Sequence, residues 1–262
     1  MTQKTFPPYQ VDRLLSIMKQ LRDPHHGCPW DIEQTPTTLA PFAIEEAYEV
    51  MDAIDRNDQD ALPDELGDLL LQVVFQAQIA DEHQLFNFNT VAGLIADKLV
   101  RRHPHIFEDK NPDSFNWEQS KEKERHARSE FGALAGIAHS LPALTRASKL
   151  CSRASRVGFD WDEPEEVLNK VLEEITELKH ELNGDKDRIE DELGDVLFTV
   201  ASLARKLNLD PEAALRRSNK KFTRRFEAME SMLSKEGKVM KEQELQTLED
   251  LWQKAKRMPG LG

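Results

Sequence analysis

Cysteine is scarce in this 262-residue sequence: Cys28 and Cys151 are the only two, and neither belongs to a CxxC pair. Such usage gives no indication of a zinc site or of thiol redox chemistry, and it fits a reducing compartment. The sequence lacks any run of the roughly 18 to 20 uncharged apolar residues that a membrane-spanning helix requires. Its first ten residues also lack the apolar core of a signal peptide. We therefore expect a cytoplasmic protein.

Positive charge is also in short supply, because 48 acidic residues outweigh 35 lysines and arginines and give a formal net charge of -13. Broad contact with nucleic acid or with an anionic membrane is excluded on this ground, since both polyanions would be repelled. A small anion carried by a metal ion remains compatible with the acidic surface. Hydrophobic residues make up 39% of the chain, which is enough for a folded protein of one large domain or, more in keeping with this length, two.

The sequence does contain an internal repeat of five short elements in the same order, which indicates a duplicated module. The pentapeptide Asp-Glu-Leu-Gly-Asp occurs at residues 64–68 and again at 191–195. An acidic EExxE group precedes each copy. The remaining pairs are GxxWD at 27–31 and 158–162, KxxRR at 98–102 and 221–225, and WxxxK at 117–121 and 252–256. We predict modules at residues 1–125 and 143–262, with a linker at 126–142.

Helical periodicity surrounds both acidic groups, and no alternating pattern long enough for a strand is found, so the predicted fold class is all-α. In each module a second helix is expected to begin at the segment of the repeated pentapeptide, after Pro63 in the first copy and after a cap at Asp185 or Asp187 in the second. Its continuation is apolar nearly all round, which predicts a buried helix. Gly67 and Gly194 lie within these helices, where glycine is unfavourable, so we expect a close helix crossing or the approach of a ligand there.

A short connection between the two helices of each module favours an antiparallel pair. That pairing brings Glu46 and Glu49 of the first module together with Glu65 and Asp68. Four carboxylates in one place repel one another unless a cation lies between them. Oxygen ligands without histidine or cysteine favour magnesium or manganese, and magnesium commonly binds substrate phosphate as well. The following basic helix, with Lys221 and Arg225 four residues apart in the second module, suits a phosphorylated substrate.

Other interpretations of these residues remain open at this point. An acidic helix face is often merely solvated, although repetition of the whole pattern argues against that. The basic pair could be surface residues, and Trp252 could be a packing anchor as readily as a base-stacking platform. At the level of the whole protein, the alternatives are a nucleotide sensor or partner-binding scaffold that does not hydrolyse its ligand, and a purely structural helical protein.

The EExxE group, a gap of fifteen residues in the first copy and fourteen in the second, and then ExxD resemble the MazG family of nucleoside triphosphate pyrophosphohydrolases, in the all-α NTP pyrophosphatase superfamily. The tandem arrangement, the GCPWD segment and the final WxxxK resemble the full-length bacterial form. The resemblance implies hydrolysis of nucleoside triphosphates to a monophosphate and pyrophosphate, with Mg²⁺ (or Mn²⁺) as cofactor, mainly in the C-terminal module. It also implies an interlocked homodimer. Because the sequence does not fix contacts to the base, we expect broad base specificity.

The resemblance also assigns roles to individual residues of the C-terminal module. Metal binding is assigned to Glu174, Glu177, Glu192 and Asp195. Glu173 would orient or deprotonate the water, Lys221 and Arg225 would bind phosphate and stabilise charge, and Arg224, Trp252 and Lys256 would complete the nucleotide pocket. The N-terminal module carries a matching set, namely Glu45, Glu46, Glu49, Glu65, Asp68, Lys98, Arg102, Trp117 and Lys121. It departs from the C-terminal copy where His103-Pro104-His105 is expected to end the basic helix early.

Overall fold

A computed structural model describes residues 9–107 and 132–260. These residues form eleven α-helices and one short 3₁₀ helix, and they contain no strand. The predicted all-α class is therefore confirmed for the described part of the chain. The chain divides into two compact units, Met1–Ser120 and Lys121–Gly262. The predicted linker at 126–142 lies partly outside the described residues, and the proposed module boundaries remain predictions.

The first unit contains six helices in the described residues, of which the third and fourth are the longest. Their bounds are α1 Gln10–Leu21, α2 Pro29–Glu33, α3 Pro36–Asp55, α4 Leu62–Glu82, α5 Phe88–Arg102 and α6 Pro104–Phe107. The helix α4 packs against α1, α3 and α5. The basic helix α5 ends at Arg102, and the short α6 begins at Pro104, as expected from the proline.

The second unit repeats the helix pair and adds a longer basic helix. Its elements are α7 Ala143–Ser155, α8 Pro164–Glu181, α9 Lys186–Lys206, α10 Pro211–Lys235, a 3₁₀ helix Met240–Glu242 and α11 Leu245–Lys256. The helix α9 packs against α7, α8 and α10, and α10 packs against α11.

Short polar side chains fix where several of these helices begin. Thr35 and Thr38 form a reciprocal capping box at the start of α3, with Pro36 at the first helical position. Asp185 accepts from the backbone N–H of Asp187 at the start of α9, and Asp210 caps α10 in the same way. The helix α9 therefore begins more than one turn before the repeated pentapeptide, after Asp185, one of the two caps that the sequence predicted.

Both acidic helix pairs are antiparallel, as predicted. In the first pair, Gln76 Nε2 on α4 donates to the carbonyl of Pro36 at the start of α3, at 3.2 Å. In the second pair, Arg205 near the end of α9 forms an ion pair with Asp160, just before α8, at 2.5 Å. These contacts join the start of one helix to the end of the next, and they place the carboxylates at mid-helix opposite the repeated pentapeptides.

The prediction that α4 and α9 are buried on all sides is wrong within the single chain. One side of α4 carries the N-terminal core, in which Val74, Phe75 and Ile79 pack against Met18 and Leu39. Other apolar residues of the two helices are exposed, including Leu66, Leu70, Val73, Leu193, Leu197, Phe198 and Val200. The neighbouring helices of the same chain cover only part of each helix surface, so an apolar face remains in contact with solvent.

The predicted close helix crossing at Gly67 and Gly194 is also absent within residues 9–107 and 132–260. A Cβ atom built at either glycine meets no other atom within 4 Å. The open space leaves room for the other expectation, the approach of a ligand. In the described part of the chain, no helix is both long enough and apolar enough to span a lipid bilayer.

Candidate functional site

Three carboxylates from the first helix pair converge in the N-terminal module. Glu46 and Glu49 lie one turn apart on α3, and Glu65 lies near the start of α4. One oxygen atom from each of these side chains can be chosen so that all three lie within 4.8 Å of one another. Glu46 and Glu65 are half-buried, whereas Glu49 is exposed. We call this group the N-terminal cluster.

The C-terminal module has a corresponding group, here called the C-terminal cluster. It consists of Glu174 on α8 with Glu192 and Asp195 on α9, whose oxygen atoms likewise lie within 4.8 Å of one another. Glu174 is buried, with 6% of its surface exposed. Six of the eight residues predicted to bind metal are thus brought together in two groups of three.

The two remaining predicted ligands lie beside these groups. Burial, together with the neighbouring charges of Asp68 and Glu49, raises the pKa of Glu46 above its usual value. Burial, a hydrogen bond shared with Glu174 and the charge of Glu192 likewise raise the pKa of Glu177. Asp68 and Glu177 are therefore close enough to act electrostatically on the clusters. Burial and the nearby carboxylates also raise the pKa of Glu65.

Lys170, which was not among the predicted site residues, contacts the C-terminal cluster. Lys170 Nζ lies 2.8 Å from Glu173 Oε1 and 2.9 Å from Glu174 Oε1. Hydrogen bonds to Glu173 and Glu174 raise the pKa of Lys170, so the ammonium form is favoured. The spacing of three and four residues along one helix face could have indicated this contact. Glu173, the predicted water base, is exposed and held by this lysine.

Among the described residues, the N-terminal cluster has no lysine in such contact; the charge of Arg56 opposes the rise in the pKa of Glu65 without forming an ion pair. Across residues 9–107, neither lysine nor arginine forms an ion pair with Glu46, Glu49 or Glu65. Phe42 occupies the position, three residues before the EExxE group, at which the second copy has Lys170. Its ring lies 6.3 Å from that of Trp30. The two modules therefore share their carboxylates and differ in the charge beside them.

Residues predicted to bind the nucleotide are grouped on α10 and α11. The Arg225 guanidinium lies over the Trp252 ring, 5.6 Å from its centroid, and Arg225 is buried. Phe222 extends this group, because its ring lies 5.2 Å from Trp252 and 5.9 Å from Phe226. Phe222 is more than half exposed and was missed by the sequence analysis, although it lies between the predicted Lys221 and Arg225.

The other predicted residues differ in how they are placed. Arg224 Nη1 donates to the carbonyl of Gly260 at 3.5 Å, Lys221 is half-buried, and Lys256 is exposed on α11. In the first module, Lys98 and Arg102 lie on α5, and Glu45 is exposed on α3. The predicted Trp117 and Lys121 lie outside the described residues.

The donor set of each cluster indicates which metal ions fit. All the candidate ligand atoms are carboxylate oxygens, and neither histidine nor cysteine contributes to either group of three. Hard divalent cations such as Mg²⁺ and Mn²⁺ prefer such oxygen ligands, whereas zinc and copper sites draw on nitrogen and sulfur. A divalent cation would also offset the repulsion that raises the pKa of Glu46 and Glu177. The residues present therefore fit such an ion.

Comparison with known proteins relates these clusters to one family. The family model of the MazG nucleotide pyrophosphohydrolase domain matches the chain twice, at residues 34–107 and 162–229. The chain is 48% identical over 256 residues to the nucleoside triphosphate pyrophosphohydrolase of Escherichia coli K12, covering 95% of this chain and 97% of that protein.

Two further relatives extend the comparison. Identity to the nucleoside triphosphate pyrophosphohydrolase/pyrophosphatase MazG of Thermotoga maritima is 44% over 246 residues, or 94% of this chain and 95% of that protein. The uncharacterized protein YabN of Bacillus subtilis is 38% identical over 276 residues, which cover 98% of this chain and 55% of that protein. Because the duplicated domain and the near full-length matches agree with the two carboxylate clusters, this chain belongs to the MazG nucleotide pyrophosphohydrolase family.

Proposed function

We propose that this protein is a magnesium-dependent nucleoside triphosphate pyrophosphohydrolase of broad base specificity whose main activity resides in the C-terminal module. The observation that carries the proposal is the convergence of Glu174, Glu192 and Asp195 from two antiparallel helices, with their oxygen atoms within 4.8 Å. Relatives that match nearly the whole chain bear the name nucleoside triphosphate pyrophosphohydrolase, and they support this substrate class. Manganese is an alternative cofactor on the same ligand chemistry.

The carboxylates serve as the metal site in this proposal. Glu174, Glu177, Glu192 and Asp195 would hold the cation, which when bound polarises phosphate oxygens and neutralises their charge. Burial of Glu174 beside Glu192 and Asp195 favours this role, because the single ammonium of Lys170 does not balance the charge of the whole group.

The remaining residues bind and orient the substrate and water. Lys221, Arg224 and Arg225 provide positive charge for the phosphates, and Trp252 and Lys256 complete the nucleotide pocket. Glu173 accepts a proton from water as the water oxygen bonds to a phosphorus atom of the α–β bridge. The bond from that phosphorus to the bridging oxygen breaks, and a nucleoside monophosphate and pyrophosphate leave. Lys170 holds Glu173 in position for this step, at 2.8 Å.

Assignment of the main activity to the C-terminal module rests on two differences between the copies. The basic helix α10 has 25 residues, whereas α5 has 15 and ends before His103 and Pro104. Glu173 is contacted by a lysine, whereas the first copy has Phe42 at the position of that lysine. The N-terminal cluster, with Glu45, Glu46, Glu49, Glu65, Asp68, Lys98, Arg102, Trp117 and Lys121, is proposed as a weaker or regulatory site.

The proposed assembly is a homodimer in which a second copy covers the exposed apolar faces of the acidic helix pairs. On α9, Leu193, Leu197 and Val200 are 46%, 49% and 41% exposed and follow one side of the helix. A contiguous apolar stripe of this kind is unusual for a surface that faces water alone. Basic side chains of one copy can then contribute to a carboxylate cluster of the other.

The test is pyrophosphate release from a panel of nucleoside triphosphates with magnesium, using the full-length chain. We expect Glu174→Gln to reduce kcat/KM by about a hundredfold or more, because a metal ligand is lost and transition-state charge is left unbalanced. Glu46→Gln is expected to have a smaller effect. The matched control is Glu190→Gln, since Glu190 is an exposed glutamate on α9 outside the cluster, and it should retain full activity.

Two outcomes would contradict the proposal. Absence of pyrophosphate with every nucleotide, while magnesium and nucleotide still bind, would favour a nucleotide sensor. If Glu46→Gln abolished activity and Glu174→Gln did not, the assignment of the main activity to the C-terminal module would be wrong.

A further inference from the structure

The two carboxylate clusters differ in one charged contact. In the C-terminal module, the Lys170 ammonium lies 2.9 Å from an oxygen of Glu174 and 2.8 Å from an oxygen of Glu173. Glu174 is 6% exposed, so water screens this contact poorly. The side chain of Lys170 is itself only 31% exposed, so its positive charge lies among the carboxylates of Glu173 and Glu174.

At the matching position of the N-terminal module stands Phe42, which has no charge. The spacing is the same in both copies, four residues before Glu46 and four residues before Glu174. Phe42 packs near Trp30, and no ammonium or guanidinium group of the described residues replaces the missing lysine at Glu46, Glu49 or Glu65. An ammonium in direct contact therefore offsets part of the repulsion in the C-terminal module, whereas in the N-terminal module only the charge of Arg56 acts on Glu65, without an ion pair.

We propose that Lys170 is the resting counter-ion of the C-terminal cluster and lowers the affinity of that cluster for free divalent cations. This inference rests on the proposed function, because it concerns the same metal site. A cation that binds Glu174 must displace the ammonium or accept repulsion from it at close range. The N-terminal cluster has no ammonium in contact with its carboxylates among the described residues, so this cost is smaller there. It is therefore expected to bind free metal more tightly than the C-terminal cluster does.

The consequence is an order of loading within one chain. As the concentration of free cation rises, the N-terminal cluster fills first and the C-terminal cluster fills later. This difference in metal affinity arises because Phe42 is uncharged and Lys170 is positively charged. It does not require any difference between the carboxylates of the two clusters.

The experiment measures binding of Mn²⁺ alone, without nucleotide, from the electron paramagnetic resonance signal of the free ion. The C-terminal cluster is isolated with Glu46→Gln in the full-length protein, and Lys170 is then compared with Lys170→Met and Lys170→Arg. Lys170→Met removes the charge from a side chain of similar length and good helix propensity. We expect it to tighten Mn²⁺ binding by at least about tenfold, the lower limit set by a unit charge that water screens fully at close range, while Lys170→Arg stays close to the parent.

The reciprocal change tests the same idea in the other module. With the C-terminal cluster silenced by Glu192→Gln, Phe42→Lys is expected to weaken Mn²⁺ binding at the N-terminal cluster by about tenfold. Circular dichroism and thermal unfolding establish that each variant retains its helices. Because one variant removes the charge and the other introduces it, a general loss of folding cannot mimic both results.

Two results would overturn the inference in distinguishable ways. If both clusters bind Mn²⁺ but Lys170→Met leaves affinity unchanged or reduces it, Lys170 does not act as a counter-ion, and the proposed enzymatic function is unaffected. If no variant binds Mn²⁺ at either cluster, the metal site of the proposed function fails, and the inference fails with it.

Discussion

Arg22 at the end of α1 and Glu82 at the end of α4 form a two-bond ion pair, in which Nε donates to Oε1 at 2.8 Å and Nη2 donates to Oε2 at 2.6 Å. The arginine side chain is 7% exposed, and its Nη1 also donates to the carbonyl of Asp31 in α2. Burial by itself raises the pKa of Glu82, but hydrogen bonds from Arg22 and Gln78 outweigh it and lower that pKa below the usual 4.5. Through these hydrogen bonds, Arg22 connects the end of α1 to both α2 and α4.

Replacing Glu82 by glutamine is expected to destabilise the N-terminal unit by about 1 to 3 kcal/mol, because a buried guanidinium loses its charged partner. The lowered pKa means that the carboxylate stabilises the fold above pH 4.5, and this contribution is lost as the pH falls through the lowered value. Urea unfolding at neutral pH and near pH 3 should therefore show a difference between parent and variant that shrinks in acid. Glu236→Gln is the control, since the pair of Glu236 with Lys238 is exposed on both sides; an equal loss there would contradict the prediction.

The affinity of the clusters for a metal ion should rise with pH. The stability that the protonated carboxyl groups give to the metal-free fold should instead fall as the pH rises. The pKa values of Glu46, Glu65 and Glu177 are raised, chiefly by burial and by neighbouring carboxylates. Their protonated forms therefore favour the metal-free fold below the usual carboxyl range, and this contribution is lost as the pH rises through the raised values. A cation needs the deprotonated forms and releases protons when it binds.

Magnesium is accordingly expected to raise the thermal unfolding midpoint more at about pH 7.5 than at about pH 5. Differential scanning fluorimetry with and without magnesium measures this difference. The variant that combines Glu46→Gln with Glu174→Gln supplies the control and should lose the response at both pH values. A magnesium response that grew as the pH fell would be inconsistent with carboxylate ligation.

Gly194 offers a test of whether something outside the chain approaches α9. Alanine there meets no atom of the described residues within 4 Å, so helix propensity should stabilise the variant by up to about 1 kcal/mol. Gly93→Ala in α5 is a matched control, because it too is a helical glycine with open space. We expect Gly194→Ala to lower pyrophosphate release while Gly93→Ala does not. Full activity in Gly194→Ala would show that neither a ligand nor a partner needs the space.

Leu197 tests the proposed homodimer. Leu197→Glu places a charge in the middle of the exposed apolar stripe of α9, where nothing in the single chain opposes it, so the helices should be retained. A buried unpaired charge at an interface is costly, and sedimentation velocity should therefore show a shift from dimer to monomer. Leu245→Glu is the control, because Leu245 is 77% exposed at the start of α11. A wild-type chain that sediments as a monomer would refute the proposed assembly.

Much of this fold could be predicted because the information is local. Thr35, Asp185 and Asp210 mark helix starts by hydrogen bonds within a few residues, and Pro104 interrupts the basic helix through its own ring. Membership of the carboxylate clusters was also accessible, because an antiparallel pair with a short connection leaves few arrangements for Glu46 and Glu65. Arg225 and Trp252 contact each other on neighbouring helices, and their assignment to a nucleotide pocket remains a prediction.

Other features depend on what faces a residue across the structure, and sequence patterns do not contain that information. The apolar sides of α4 and α9 predicted burial, but hydrophobicity does not say whether the covering surface belongs to the same chain. The spacing of Gly67 and Gly194 likewise did not reveal that the space beside them is open. Lys170 could have been paired with Glu174 from spacing alone, yet the same spacing occurs in many exposed ion pairs.

Packing between helices that follow one another in the chain has a consequence for how the protein is made. The pairs α3 with α4, α8 with α9 and α10 with α11 are each joined by a short segment, so their contacts have low contact order. Chains of this kind cross their folding barrier quickly, because little loop-closure entropy is lost before contacts form. The first acidic pair is complete by Glu82. It can therefore form on the ribosome while the second half is still being translated, and its apolar face is then exposed early to chaperones.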